Sequence, residues 1–152
     1  MSLRAYTPED RPACLALFDG NVPEFFLATE RQDFLDSLDE YERGEWNPAV
    51  YLVLEEAGGL VACGGAFVKA AGVGGLAWGM VARAHQREGL GTRLLRARLD
   101  WLRAQPGARE VWLDTTQHSA PFFRRFGFEV ANETPDGYGP GVDRLDLRLG
   151  LD

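Results

Sequence analysis

The stretch Trp78-Gly79-Met80-Val81-Ala82-Arg83-Ala84-His85-Gln86-Arg87-Glu88-Gly89-Leu90-Gly91-Thr92-Arg93-Leu94-Leu95 decides the reading of this chain. It runs from an apolar strand through a glycine loop into the start of a helix. The loop, Gln86 to Thr92, offers a row of backbone N–H groups, and the helix offers the positive end of its macrodipole. Both suit a phosphate or pyrophosphate. Gly89 and Gly91 lack a Cβ, so the backbone can approach such an anion closely. Alone, a Gln-x-x-Gly-x-Gly string is a weak signal in a chain with 18 glycines. Two other nucleotide motifs are excluded. A P-loop needs Gly-Lys-Ser/Thr, and no lysine stands here; the dinucleotide fingerprint needs a third glycine, where this chain has Leu94.

Working outward, the helix predicted over Leu90 to Ala104 buries Leu90, Leu94, Leu95, Leu99 and Leu102, and Pro106-Gly107 stops it. A strand is predicted over Leu76 to Arg83, after a glycine-rich turn at Gly72 to Gly75. Before it, Ala49 to Glu55 and Leu60 to Ala70 read as strands joined by a hairpin at Gly58-Gly59. Leu3 to Tyr6 reads as a first strand. A helix follows to about Asp19, with Thr7 as cap and Pro8 at its first position, and a second spans about Glu30 to Glu42. Val111 to Asp114 is a strand, Pro121 to Phe126 a short helix, and Phe128 to Ala131 and Leu145 to Leu149 are strands. The order is β-α-α-β-β-β-α-β-α-β-β, an α/β chain with a mixed sheet and helices on its faces. The crossover through the long helix should be parallel and right-handed.

Length and composition are consistent with one domain over 1–152: 152 residues, 45% hydrophobic and 26% charged. No apolar run suits a membrane span, and the N-terminus lacks a signal-peptide core. Cys14 and Cys63 lack metal-site spacing and read as buried thiols in a reducing, cytoplasmic setting. From Arg83 to Arg103, six arginines stand against Glu88 and Asp100, so this stretch carries +4 in a chain of −7 and leaves −11 elsewhere. A basic patch in an acidic body suits an anionic cofactor held locally and a cationic acceptor elsewhere; the competing reading makes these arginines a solvated helix face. The acidic body disfavours nucleic acid.

This element order, with the glycine loop opening the longest helix, resembles the GNAT superfamily of N-acetyltransferases across nearly the whole chain. Gln86, Gly89 and Gly91 match the family's Gln/Arg-x-x-Gly-x-Gly/Ala loop, and Phe123-Arg124-Arg125-Phe126-Gly127-Phe128 matches its aromatic-x-x-x-Gly-Phe segment. The resemblance implies a GNAT-like acyl-CoA N-acyltransferase fold with acetyl-CoA as cofactor, direct transfer to the amine of a small molecule or peptide without a metal, and a homodimer. It implies that the strand ending near Arg83 splays from its parallel neighbour, with Met80, Val81 and Arg83 against the pantetheine. Gln86, Arg87, Glu88, Gly89, Leu90, Gly91 and Thr92 would hold the pyrophosphate, and Thr116, Ser119 and Phe123 would touch the cofactor. A backbone N–H near Val81 would polarise the thioester carbonyl; Gly79 beside it permits a bulge, against the reading that an isolated strand glycine marks only a close packing approach.

Two departures bear on catalysis. Thr116 stands where the family often has asparagine. Phe123 stands where many members place a proton-donating tyrosine, and general acid catalysis contributes roughly 10²–10⁴-fold. Tyr138, in Asp136-Gly-Tyr-Gly-Pro-Gly-Val-Asp143, is the candidate replacement acid, against the reading of a solvent-facing aromatic in a turn. His118 is a weaker candidate, an imidazole in a loop beside the cofactor. Glu24 is the candidate base, with Phe25 offering a cation–π face to the amine. The competing reading leaves Glu24 in solvent on a hydrophobic helix connection. Trp78 would line the same acceptor pocket or simply pack in the core. The alternative function, prompted by Phe123, is a non-catalytic acyl-CoA-binding module; another acyl donor or an O-linked acceptor is a third.

Overall fold

The computed structural model describes residues 2–151. Strands β1 (Ser2–Ala5), β2 (Ala49–Glu56), β3 (Gly59–Ala70), β4 (Val73–Val81), β5 (Glu110–Thr115), β6 (Glu129–Gly139) and β7 (Val142–Gly150) form one sheet in the order β1-β2-β3-β4-β5-β7-β6. Helices α1 (Arg11–Gly20), α2 (Arg31–Glu42), α3 (Leu90–Arg103) and α4 (Ala120–Arg124) give the element order expected from the sequence. Among the described residues only β4 and β5 pair in parallel, and α3 is the crossover between them.

The sheet has a core on each face. Leu95, Leu99 and Leu102 of α3 pack on Leu76, Val111, Leu113 and Leu147. On the other face, Phe18 of α1 and Phe34 of α2 pack with Tyr6, Tyr51 and Met80. Cys14 and Cys63 are buried free thiols there, as expected.

Several boundaries move for physical reasons. β4 runs from Val73 to Val81, not from Leu76 to Arg83. Gly74 and Gly75, expected in a turn, pair with both β3 and β5 and so belong to the strand; they are glycines because neighbours press on them, a Cβ lying 2.6 Å from Leu102 Cδ2 at Gly74 and 2.5 Å from Phe67 Cζ at Gly75. Arg83 falls in a 3-10 turn, Arg83–His85. The first two helices also open with 3-10 turns, Pro8–Asp10 and Ala28–Glu30. At the first of these the Thr7 N–H donates to Asp10 Oδ2 at 2.9 Å, and Arg4 clamps the same carboxylate at 2.8 and 2.9 Å. That clamp, more than the Thr7 bond, holds the Asp10 carboxyl below the usual carboxylate range. The largest correction is β6, expected to end at Ala131 but continuing to Gly139. Glu129 to Gly137 are all exposed, so the strand carries no apolar alternation to read. Tyr138 therefore ends a strand in a long hairpin and is not a loop residue.

Candidate functional site

The sheet is opened by β4. It pairs with β5 at only three positions, Val73↔Glu110, Gly74↔Val111 and Gly75↔Trp112, yet runs on for six residues beyond Gly75. On its other edge the register slips: Cys63 pairs with Met80 and Gly65 with Ala77, leaving Trp78 and Gly79 opposite Gly64. This is a β-bulge at the glycine flagged by the sequence, and Trp78 takes φ +52 to make it. Between the parted strands lies a groove of about 480 Å³, walled by Leu76 to Val81 on one side and Leu113 to Thr115 on the other.

One end of the groove meets the start of α3. Gly89 holds φ +81 and Arg87 φ +70, which turn the loop into the helix. The Arg93 N–H closes the first helical turn on the Gly89 carbonyl at 3.1 Å, so the N–H groups of Leu90, Gly91 and Thr92 precede any intrahelical acceptor. A Cβ on Gly91 would sit 3.4 Å from Phe122 Cζ, so the loop hugs α4. The Gln86 amide turns inward, donating to Asn21 Oδ1 at 3.1 Å and to the Val81 carbonyl at 3.3 Å. The buried Asn21 donates to the same carbonyl at 3.1 Å and to the Leu17 carbonyl at 2.8 Å. These two side chains lock the loop to the end of β4. Arg87 and Arg125 line this end and make it electropositive. Free N–H groups, two arginines and an unpaired strand edge fit a diphosphate whose arm lies along β4.

The other end is aromatic and acidic, lined by Phe25, Phe26, Trp78 and Asp114. Trp78 packs on Phe26 and Phe34 and donates its indole N–H to Ser37 Oγ at 2.9 Å. Asp114 follows Leu113, which faces the α3 core, so alternation points Asp114 to the opposite face, where Trp78 lies. The Tyr138 hydroxyl donates to Asp114, and Arg144 approaches its other oxygen at 3.9 Å. Burial, and then that hydrogen bond, push the Tyr138 phenol well above its ordinary value, so it stays protonated.

The acetyltransferase (GNAT) family profile matches residues 15–128. The chain belongs to the GNAT acetyltransferase family. No curated protein matches its sequence. Among solved structures it is similar to a GNAT-family protein of Desulfovibrio desulfuricans, at 22% identity and TM-score 0.80 over 99% of each chain. The same identity and TM-score relate it to yncA of Salmonella typhimurium, solved with its cofactor acetyl-CoA, over 100% of this chain and 94% of that one. The ribosomal-protein-S18-alanine N-acetyltransferase of Escherichia coli superposes at TM-score 0.79 with 18% identity, over 99% of this chain and 94% of that one.

In this GNAT fold the groove gathers many of the residues singled out by sequence. Met80, Val81, Gln86, Arg87, Gly89, Gly91, Thr92, Ser119 and Phe123 line it, as do Phe25, Trp78 and His118. Six others stand off its wall. Leu90 is buried in the core. Glu88 meets the His85 ring at 3.2 Å. The Thr116 hydroxyl accepts the N–H groups of His118 at 3.2 Å and Ser119 at 3.4 Å, so it is spent on the turn into α4. The Arg83 side chain donates to Glu24 at 2.8 Å and lies 5.8 Å over the Phe25 ring. Glu24 is thus ion-paired at an exposed rim, and the chain's own cation takes the Phe25 face expected for the substrate. Tyr138 reaches the groove only through Asp114.

The lining residues that escaped the sequence reading include Asn21, Asp114, Arg98 and Arg125. Asn21 and Asp114 lie in segments whose pattern says nothing of their partners. Arg98 left a signal, because it falls on the stripe Leu90-Leu94-Arg98-Leu102 at helical spacing and so had to face inward.

Proposed function

We propose that this GNAT protein, acting as one domain over its 152 residues, transfers the acetyl group of acetyl-CoA directly to the amine of a small molecule or peptide. The carrying observation is the release of β5 by β4 after three pairs, which opens a groove from the amides of α3 to an acidic, aromatic mouth. The bound acetyl-CoA of yncA supports the choice of cofactor. The loop Gln86 to Thr92 grips the diphosphate, assisted by Arg87. The unpaired edge at Met80 and Val81 hydrogen-bonds the arm, and an N–H near Val81 faces the thioester oxygen and favours the charge that develops there. The thioester supplies an activated acetyl carbon. Phe123 and Ser119 pack beside the arm.

Asp114 takes the amine's proton, because its carboxylate faces the groove on the side of Phe25, Phe26 and Trp78. Tyr138 acts through Asp114 as a positioning residue, and Glu24 fixes the rim through Arg83. A bond forms from the amine nitrogen to the acetyl carbon as the carbon–sulfur bond breaks; the leaving thiolate takes a proton from water, since Phe123 has none to give.

The test incubates the protein with acetyl-CoA and a panel of small amines and peptides, read by mass spectrometry for one added acetyl group. Acetyl-CoA at a hundredfold excess over its Kd should also raise unfolding stability by about 2.7 kcal/mol. Stabilisation without transfer to any amine favours the non-catalytic binding module, prompted by Phe123. No stabilisation at millimolar acetyl-CoA overturns the cofactor assignment.

A further inference from the structure

Arg98 is the arginine of α3 that the core encloses, with 3% of its surface exposed, whereas Arg93, Arg96 and Arg103 face solvent. Its guanidinium occupies a hole left by two absent side chains. A Cβ on Gly64 would lie 3.1 Å from its Cζ, and one on Gly79 would lie 2.9 Å from its Nη2. Its hydrogen bonding is poor: Nη1 donates to the Gly65 carbonyl at 3.4 Å, and the buried Nε has no partner among the described residues. None of the ion pairs among the described residues includes it. Burial lowers its pKa to about 10, so it remains charged at neutral pH. A buried, unpaired charge is costly. An apolar side chain of similar volume would fill the hole without that cost.

The guanidinium lines the groove. The direction from which it can be reached follows from the sheet. Arg98 lies on the α3 face with Leu94, two turns or about 12 Å past the start of the helix. Phe26, Phe34 and Trp78 occupy the opposite face, where Tyr51 closes the sheet by donating to the Trp78 carbonyl at 2.9 Å. A group reaching Arg98 therefore comes along the path of the acyl donor.

We propose that Arg98 recognises a carboxylate at the far end of the acyl chain, so that this protein takes dicarboxylic acyl-CoA thioesters, of which succinyl-CoA is the simplest probe, more tightly than acetyl-CoA. The inference rests on the acyl-CoA transfer reading above and widens its donors beyond acetyl-CoA. The guanidinium offers a planar fork of N–H donors to the two carboxylate oxygens, and its own desolvation is already borne by the fold. In the transfer, the thioester carbon bonds to the amine nitrogen and its carbon–sulfur bond breaks. The amine proton passes to the carboxylate base, the coenzyme leaves as its thiol after protonation by water, and the distal carboxylate stays ionised on Arg98.

The experiment measures the Kd of succinyl-CoA, acetyl-CoA and CoA on the purified protein by calorimetry, together with thermal unfolding of wild type and Arg98→Met. Succinyl-CoA should bind at least about tenfold more tightly than acetyl-CoA, a difference of about 1.4 kcal/mol. In Arg98→Met the ratio should fall to about one, while the ligand-free variant unfolds a few degrees higher because the buried charge is gone. Equal affinities in the wild type overturn the inference, even if the variant cannot be purified; so does a preference that survives in Arg98→Met. Binding of none of the three compounds is a separate outcome, which removes the acyl-CoA reading and this inference with it.

Discussion

At one end of the groove the polar groups are backbone: the amides opening α3, held by the left-handed turn at Gly89 and the inward amides of Gln86 and Asn21. At the other end they are side chains gathered from distant parts of the chain: Asp114 on β5, Tyr138 at the end of β6, and Phe25 and Phe26 between the first two helices. A site made of amides depends on where glycine is allowed, and it tolerates wide variation in its side chains. A site made of carboxylate and phenol depends on particular residues, and loses its chemistry when one is exchanged. The two ends should therefore fail differently.

The largest expected effect lies at the side-chain end. Asp114→Asn should lower turnover on a competent amine by roughly 10²–10⁴-fold with little change in the Kd of acetyl-CoA, because a general base is lost and the amides are untouched. Glu24→Gln, at the exposed ion pair, should change turnover by less than about tenfold, and Tyr138→Phe should fall between the two. A Glu24 effect as large as that of Asp114 would reverse the assignment.

At the backbone end, Gly89→Val should weaken acetyl-CoA by about 10–100-fold in calorimetry. The added Cβ meets nothing within 4 Å, but φ +81 forces a β-branched residue into the left-handed region, at a cost of roughly 1–2 kcal/mol, or shifts the loop out of reach of the anion. Unchanged affinity would show that the amides are not the grip.

The smallest effect concerns pH. The folded state holds the Arg98 pKa near 10, below its ordinary 12.5, so between those values the unfolded chain binds the extra proton. Stability contributed by this group therefore rises with pH in that window. The excess stability of Arg98→Met over wild type, full at pH 7, should shrink by at most about 1.4 kcal/mol per pH unit above 10 in urea unfolding. A constant gap would mean that the guanidinium is not penalised by burial.

Much of the fold could be read because its signals are local. The leucine stripe of α3, the apolar strand-forming runs of β2 and β3 and the punctuating glycines gave the element order, and the loop Gln86 to Thr92 marked the backbone end of the groove. β6 was cut short because a strand exposed on both faces has no alternation. Side-chain partners could not be read where they are remote in sequence. Nothing near Glu24 announces Arg83, 59 positions away, and nothing near Tyr138 announces Asp114, 24 positions away. Gln86, read as part of the anion loop, spends its amide on Asn21 and Val81, a pairing that only the fold creates.

The brief parallel contact of β4 with β5 has a mechanical corollary. Three rungs are all the ladder that fastens β1–β4 to β5–β7, so an occupant hydrogen-bonded to the vacant stretch of β4 and packed against β5 supplies extra rungs and knits the two halves together. Those amide protons of Leu113 to Thr115 that point toward β4, away from the β7 ladder, should then exchange with deuterium more slowly when the groove is filled, which makes occupancy itself a stiffening element of the architecture.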